Sequence, residues 1–234
     1  MCILIFCTVR SSNKVPTPRS IHPSRQSFTR LEDMLAQTME ASGNDYQTAR
    51  EKALARDGYQ CMITGVWDTN SLERNIELNE LLVKSRGYEA TVQTCHILSQ
   101  SIMQGIGDSR RPSSGVIAIL TQFHLGHLVD VLVEKGGVHS LCNLLSLVQP
   151  LHEAFDRLGL WFDETDEDDM YEVRVVRDSN LGTFSHVNRQ PHFEVNEMLK
   201  KPKFRHVQLA LPDSRFLALH AVCARVAHMS GAAE

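Results

Sequence analysis

The chain has 234 residues, room for one large domain with or without appendages, and its 42% apolar and 22% charged residues are ordinary for a globular protein. No apolar run approaches the roughly 18 residues of a membrane span, and MCILIFCTVR carries its only charge, Arg10, behind the apolar stretch, which is the wrong order for a secretory signal. The formal net charge of −4 argues against a nucleic-acid partner only until its distribution is read: DETDEDD (163–169) holds six acids, and setting them aside turns −4 into +2.

In chain order, residues 1–26 are rich in Ser, Pro and Arg and contain no acid, so a poorly ordered basic tail is expected. SFTRLEDMLAQTMEA predicts a helix with Leu31, Met34, Leu35 and Met39 on one side. SGN breaks it, and Asn44 or Asp45 caps a second helix, YQTAREKALARDG. CMITGVWD reads as a short strand and turn, and SLERNIELNELLVKSRG as one helix with Leu72, Ile76, Leu78, Leu81 and Leu82 on its apolar side. TVQTCHIL has the β-branched content of a strand and runs into His96.

QGIGDSRRPSSG is a loop by composition, followed by one long or two short helices over 116–137. NLLSL predicts a short strand, and VQPLHEAFDRLG a helix with Pro150 in its first turn and Leu144, Leu147 and Phe155 turned inward. LGLWFD and YEVRVV predict a strand pair across the acidic run, with Trp161 and Phe162 as strand core. LPDSRFLALHAVCARVAHMSG predicts a closing helix with Leu217, His220, Ala221, Ala224 and His228 along one side, its histidines facing the core or a second subunit. The basic cluster KKPKFRH (200–206) reads either as a solvated turn or as a patch for phosphates. The six scattered cysteines predict reduced thiols in an intracellular protein, nuclear or cytosolic.

Three of these elements carry chemistry together: a strand ending in His96, a strand beginning at Asn143, and a helix carrying His152 and Asp156. Helix residues four apart share a face, so an imidazole and a carboxylate at that spacing can grip one ion. A histidine on the facing strand can stay off the metal and act as a base near neutral pH. His124 and His127 in FHLGH lack a nearby Cys or acid to complete a second metal set, and Cys61 lacks a CxxC partner for a structural zinc.

ARDGYQCMITG, TCHILSQS and NLLSLVQPLHEAFDRLGLWFD resemble the HNH nuclease domain, in the form common in fungal proteins. The resemblance covers about residues 47–177, and the closing LPDSRFLALHAVCARVAHMSGAAE is similar to the tail of such proteins. It implies an α+β protein on a ββα-metal (His-Me finger) core with flanking and inserted helices. The expected organisation is a tail at 1–26, N-terminal helices at 27–57, the HNH-like domain at 58–178 with a helical insertion at 99–138, and a C-terminal extension at 179–234.

The resemblance further implies that His96 is the general base, that Asn143 fixes the strand geometry around it or, as in some members, touches the metal, and that His152 and Asp156 are metal ligands. The activity implied is endonucleolytic hydrolysis of phosphodiesters, DNA foremost, with one divalent ion, Mg²⁺, Mn²⁺ or Zn²⁺, and 5′-phosphate products. Cys95 stands where the family often places a further acid or His ligand, and thiolate is a poor ligand for Mg²⁺. Either Cys95 is a buried small residue and water and phosphate complete the site, or the site prefers a softer ion. Two other readings stay open: a catalytically silent nucleic-acid or protein-binding module on the same fold, and a zinc-stabilised interaction domain.

Overall fold

The computed structural model describes residues 27–28, 30–43, 45–99, 122, 124–134, 137–176 and 187–231. The expected tail, the 104–115 loop and the first part of the expected 116–137 helices lie outside them. Helix α1 (Leu31–Glu40) buries Leu31, Met34 and Leu35 at helical spacing. Helix α2 (Tyr46–Arg56) is capped by Asp45, which accepts Thr48 N at 3.0 Å and the Thr48 hydroxyl at 2.9 Å.

Strand β1 (Trp67–Asp68) leads into the short helix α3 (Thr69–Leu72). The buried Asp68 carboxylate caps that helix through Ser71 N at 3.0 Å and accepts Val92 N at 3.1 Å, which ties the turn to the start of a later strand. The single helix expected over 71–87 is broken. Asn75, extended at φ −143°, accepts Leu78 N at 3.0 Å and starts α4 (Ile76–Ser85) afresh. An Asn side chain that bonds its neighbouring backbone competes with helix continuation. The break rotates Ile76 out to 55% exposure and leaves Leu78 buried.

Strand β2 (Glu89–Ala90) pairs in parallel with β1. Strand β3 (Val92–His96) pairs antiparallel with β4 (Leu144–Val148), Val92 opposite Val148 and His96 opposite Leu144. Helix α5 (Gly126–Glu134) lies between them in sequence. Helix α6 (Gln149–Asp156) follows β4 without a loop, and Pro150 sits in its first turn, where a missing N–H costs nothing. Strands β5 (Leu160–Glu164) and β6 (Tyr171–Val175) form a second antiparallel pair, against which the Asp213-capped closing helix α7 (Ser214–Met229) packs. The architecture is α+β, helices around three two-stranded sheets among the described residues. One continuous core runs from Phe28 to Ala227 and includes Leu147 and Phe155, while Leu144 joins Ala49 and Ala53 of α2 in a smaller cluster. No described helix is long and apolar enough to cross a membrane.

Part of the uneven charge is neutralised internally. Asp163 of the acidic run pairs with Arg174 at 3.3 Å and also with Arg225. In the basic cluster, Lys200 is held by Glu194 and Glu197, and Lys203 meets Glu32 of α1 at 3.1 Å. Both closing-helix histidines face inward: His228 bonds Leu158 O at 2.8 Å, and the His220 ring lies flat on Phe155, 3.7 Å between centroids, and bonds Phe155 O at 3.1 Å.

Burial pushes His220 down to about 4, against smaller upward pulls from the Phe155 carbonyl and Asp156, and its Nδ1 has no partner among the described residues. Above pH 6.5 the ring is neutral folded or unfolded and adds no pH dependence. Between pH 6.5 and about 4 the unfolded chain takes up a proton that the folded chain refuses, so stability falls with pH. That difference is on the order of 3 kcal/mol across the window. Thermal melts from pH 7.5 to 4.5 will show a flatter acid slope for His220→Phe, which keeps the stack but cannot take a proton; equal slopes would assign the loss to another group.

Candidate functional site

The site grows from the junction that leads into β4. A single 3₁₀ turn (Leu141–Asn143) precedes the strand, and Asn143 is wholly buried. Its Oδ1 accepts Leu98 N at 2.8 Å, and its Nδ2 donates to Leu98 O at 3.0 Å and Val138 O at 2.9 Å. Its backbone carbonyl takes Ile97 N at 2.9 Å. One side chain therefore ties together the chain just after β3 and the chain entering β4.

Strand alternation sorts the hairpin into two faces. Leu144, opposite His96, packs on Ala49 and Ala53, so the His96 face is covered by α2. Gln93 and Cys95 take the other face, toward α6, where Gln93 bonds His152. His96 is the last residue of β3, and its Nε2 lies 3.0 Å from Nδ1 of His139, a residue that the sequence reading passed over. The Tyr46 ring stands 5.6 Å from the His96 ring and 5.7 Å from the His139 ring, and its hydroxyl donates to Thr94 O at 2.9 Å. Burial, then the neighbouring His139 and His152, push His96 down to about 4, with Asp156 pulling the other way. The ring is thus neutral at neutral pH and within electrostatic reach of the α6 pair, although its hydrogen-bond partner is His139.

On α6, His152 Nδ1 donates to Gln93 Oε1 at 2.8 Å, which turns its Nε2 toward Asp156 Oδ2, 3.3 Å away. A neutral imidazole with Nδ1–H engaged has a bare lone pair on Nε2. Nε2 and Oδ2 thus stand side by side as two donor atoms that one cation could share. The two side chains are 22% and 57% exposed, so an ion can reach them from solvent. These residues fit a cation as a pair, with Gln93 orienting the imidazole from behind.

Cys95 is 1% exposed, and burial, followed by the charge of Asp156 and by Cys61, holds its thiol well above its ordinary value. A protonated, enclosed thiol packs as a small apolar residue. Among the described residues no three His, Cys, Asp or Glu side chains come together as a metal-holding group. His124 and His127 are exposed, with His127 Nδ1 3.2 Å from His124 O, and Cys61 is buried in the core.

The family model described as HNH endonuclease matches residues 61–163, a stretch that contains the hairpin, Asn143 and all of α6. Residues 61–163 are therefore similar to an HNH endonuclease domain. Neither the curated proteins nor the solved structures yielded a match. The matched stretch is less than half of the 234 residues, yet His96, His139, Asn143, His152 and Asp156 all fall inside it. His139 did leave a signal in the sequence: it lies four residues before Asn143 and directly after the carbonyl that Asn143 clamps.

Removing the Asn143 clamp would strand Leu98 N, Leu98 O and Val138 O in the interior. Each buried group left without a partner costs about 1–3 kcal/mol. Asn143→Ala is expected to lower the stability to urea by about 3 kcal/mol or more. Asn143→Asp will do no better, because it sets a carboxylate against two carbonyl oxygens. An alanine variant within about 1 kcal/mol of wild type would contradict the clamp.

Proposed function

We propose that this protein is a metal-dependent endonuclease of nucleic acid, DNA foremost, built on a ββα-metal core. In this reading His96 is the general base, and His152 with Asp156 holds one divalent cation. The arrangement that supports it is the unit β3–β4–α6: His96 ends β3 on the α2 side of the hairpin, and an open imidazole–carboxylate pair four residues apart stands on the adjoining helix on the other side. The HNH match over the same residues supports it.

His96 takes a proton from a water molecule, whose oxygen attacks phosphorus. Asn143 keeps the end of β3 and the entry to β4 in register while this happens. Gln93 holds the His152 ring so that Nε2 faces outward with Asp156. A divalent cation bound there supplies Lewis acidity for the phosphate and for the departing 3′ oxygen. With His152 and Asp156 as its protein donors, a bound cation would draw further oxygen donors from water and phosphate, the habit of Mg²⁺ and Mn²⁺ more than of zinc in a closed site. Basic residues, including those of the tail at 1–26, position the backbone without reading sequence.

One observation favours a second reading. The third ligand position is taken by a buried thiol, and no three-donor group is present among the described residues. A chain of this kind can keep the fold and bind nucleic acid without cutting it.

Supercoiled plasmid incubated with Mg²⁺, Mn²⁺, Ni²⁺ or Zn²⁺ separates the two. The wild type is expected to nick with at least one ion, His96→Ala to be slower by roughly 10²- to 10⁴-fold, and Asp156→Asn to need more metal for the same rate. Binding without nicking in every ion would establish the silent module instead, and equal nicking by His96→Ala would overturn the assignment of His96 as the base.

A further inference from the structure

We infer that His139 is the positioning residue of the base: its Nδ1 accepts the Nε2–H of His96 and leaves His96 Nδ1 as the nitrogen that takes the proton. The inference rests on the nuclease reading of His96. Its starting point is the 3.0 Å between His96 Nε2 and His139 Nδ1. At that distance one nitrogen carries the hydrogen and the other accepts it. A neutral imidazole has one donor nitrogen and one acceptor nitrogen. Were His139 the donor, the hydrogen of His96 would sit on Nδ1 and no basic nitrogen would be free. His96 can work as a base only if it donates through Nε2, and His96 Nδ1 has no other partner among the described residues.

The surroundings hold this pair in place. Asn143 clamps Val138 O on one side and Leu98 N on the other, so the backbone is fixed next to His139 and two residues past His96. Tyr46, anchored by its hydroxyl to Thr94 O, walls both rings. His139 itself is only partly buried, so its own Nε2–H can meet water while Nδ1 faces inward. Burial lowers both imidazoles, which keeps them neutral and able to share one hydrogen. A charged His139 would push His96 down further. The neutral ring, as acceptor, has the opposite effect.

In the reaction, His96 Nδ1 takes a proton from water, the water oxygen bonds to phosphorus, and the bond from phosphorus to the 3′ oxygen breaks. The electron pair leaves on that oxygen, which is protonated by solvent. His96 is then an imidazolium, and its Nε2–H bond to His139 becomes charge-assisted and stronger than before. His139 thus stabilises the state after proton transfer more than the state before it, which is how a positioning group speeds a reaction.

Nitrogen-15 NMR of the imidazole rings at pH 7.5, on the full chain, reads the tautomer directly, and steady-state cleavage of DNA reads the consequence. His139→Phe keeps a ring but removes the acceptor, and His139→Asn restores an acceptor oxygen near the place of Nδ1. Thermal melts confirm that each variant is folded. The expected result is the Nε2–H tautomer at His96 in wild type and a mixture in His139→Phe. That variant should lose kcat by roughly 10- to 100-fold at unchanged KM, with most of the loss recovered in His139→Asn. An Nδ1–H tautomer at His96 in wild type overturns the inference even if the protein cuts DNA, and so does a folded His139→Phe with wild-type kcat. A wild type that holds the Nε2–H tautomer but cuts nothing supports the pairing and defeats the nuclease reading, so the two can fail separately.

Discussion

All five N–H groups of Arg56 are used inside the protein. Nη1 donates to Leu141 O at 2.8 Å and Ala210 O at 3.0 Å, and Nη2 donates to Leu144 O at 2.9 Å. The remaining donors on Nε and Nη2 form a fork on the Asp57 carboxylate at 2.6 and 2.9 Å. The guanidinium has no solvent exposure, and a buried charge persists only when each of its donors and its charge are answered. Its position at the end of α2 is therefore dictated by the two carbonyls that bracket Asn143. Those carbonyls, in turn, cannot move without stranding the charge.

With that turn immobilised, the Asn143 side chain has a fixed base from which to reach Leu98 and Val138. The effect spreads in two directions. Toward α2 it sets His96 against His139 under the Tyr46 ring. Toward α6 it sets the β3–β4 register, and the register puts Gln93 where it can turn the His152 ring. The α7 helix stiffens the same region from outside, since the His220 ring lies on Phe155, the residue next to Asp156. His96 and His152 are thus each held by a neighbour outside their own element.

The features that local periodicity encodes were legible in the sequence. β3, β4 and the α6 spacing of His152 to Asp156 follow from β-branched content, an apolar run and a proline at a helix start. The match over 61–163 agrees with the family read from the same residues. The break at Asn75 escaped because the apolar pattern of 71–87 continues across it, and a side-chain cap outweighed the pattern. His139 escaped for a different reason. It sits in a segment without periodicity, and its partner is 43 residues away, brought near only by a clamp that forms on folding. Burial of Cys95 was one of two open readings, and the choice depended on α6 and Cys61 closing over the strand. The basic cluster at 200–206 could not be read at all without knowing that Glu32, far away in sequence, meets Lys203.

That last contact bears on how a phosphate backbone could be held. Lys200 and Lys203 meet phosphates only by giving up Glu194, Glu197 and Glu32, so the cluster offers less attraction than its sequence suggests. Asp156 adds an exposed negative charge at the mouth of the site, and an uncompensated carboxylate there would repel the substrate. On the proposed reading, the cation between His152 and Asp156 therefore has two tasks. It cancels the carboxylate, and it provides the local positive charge that the paired lysines withhold. Binding of nucleic acid and binding of metal are then coupled at one place, and the chain's overall negative charge is no obstacle to a polyanionic partner.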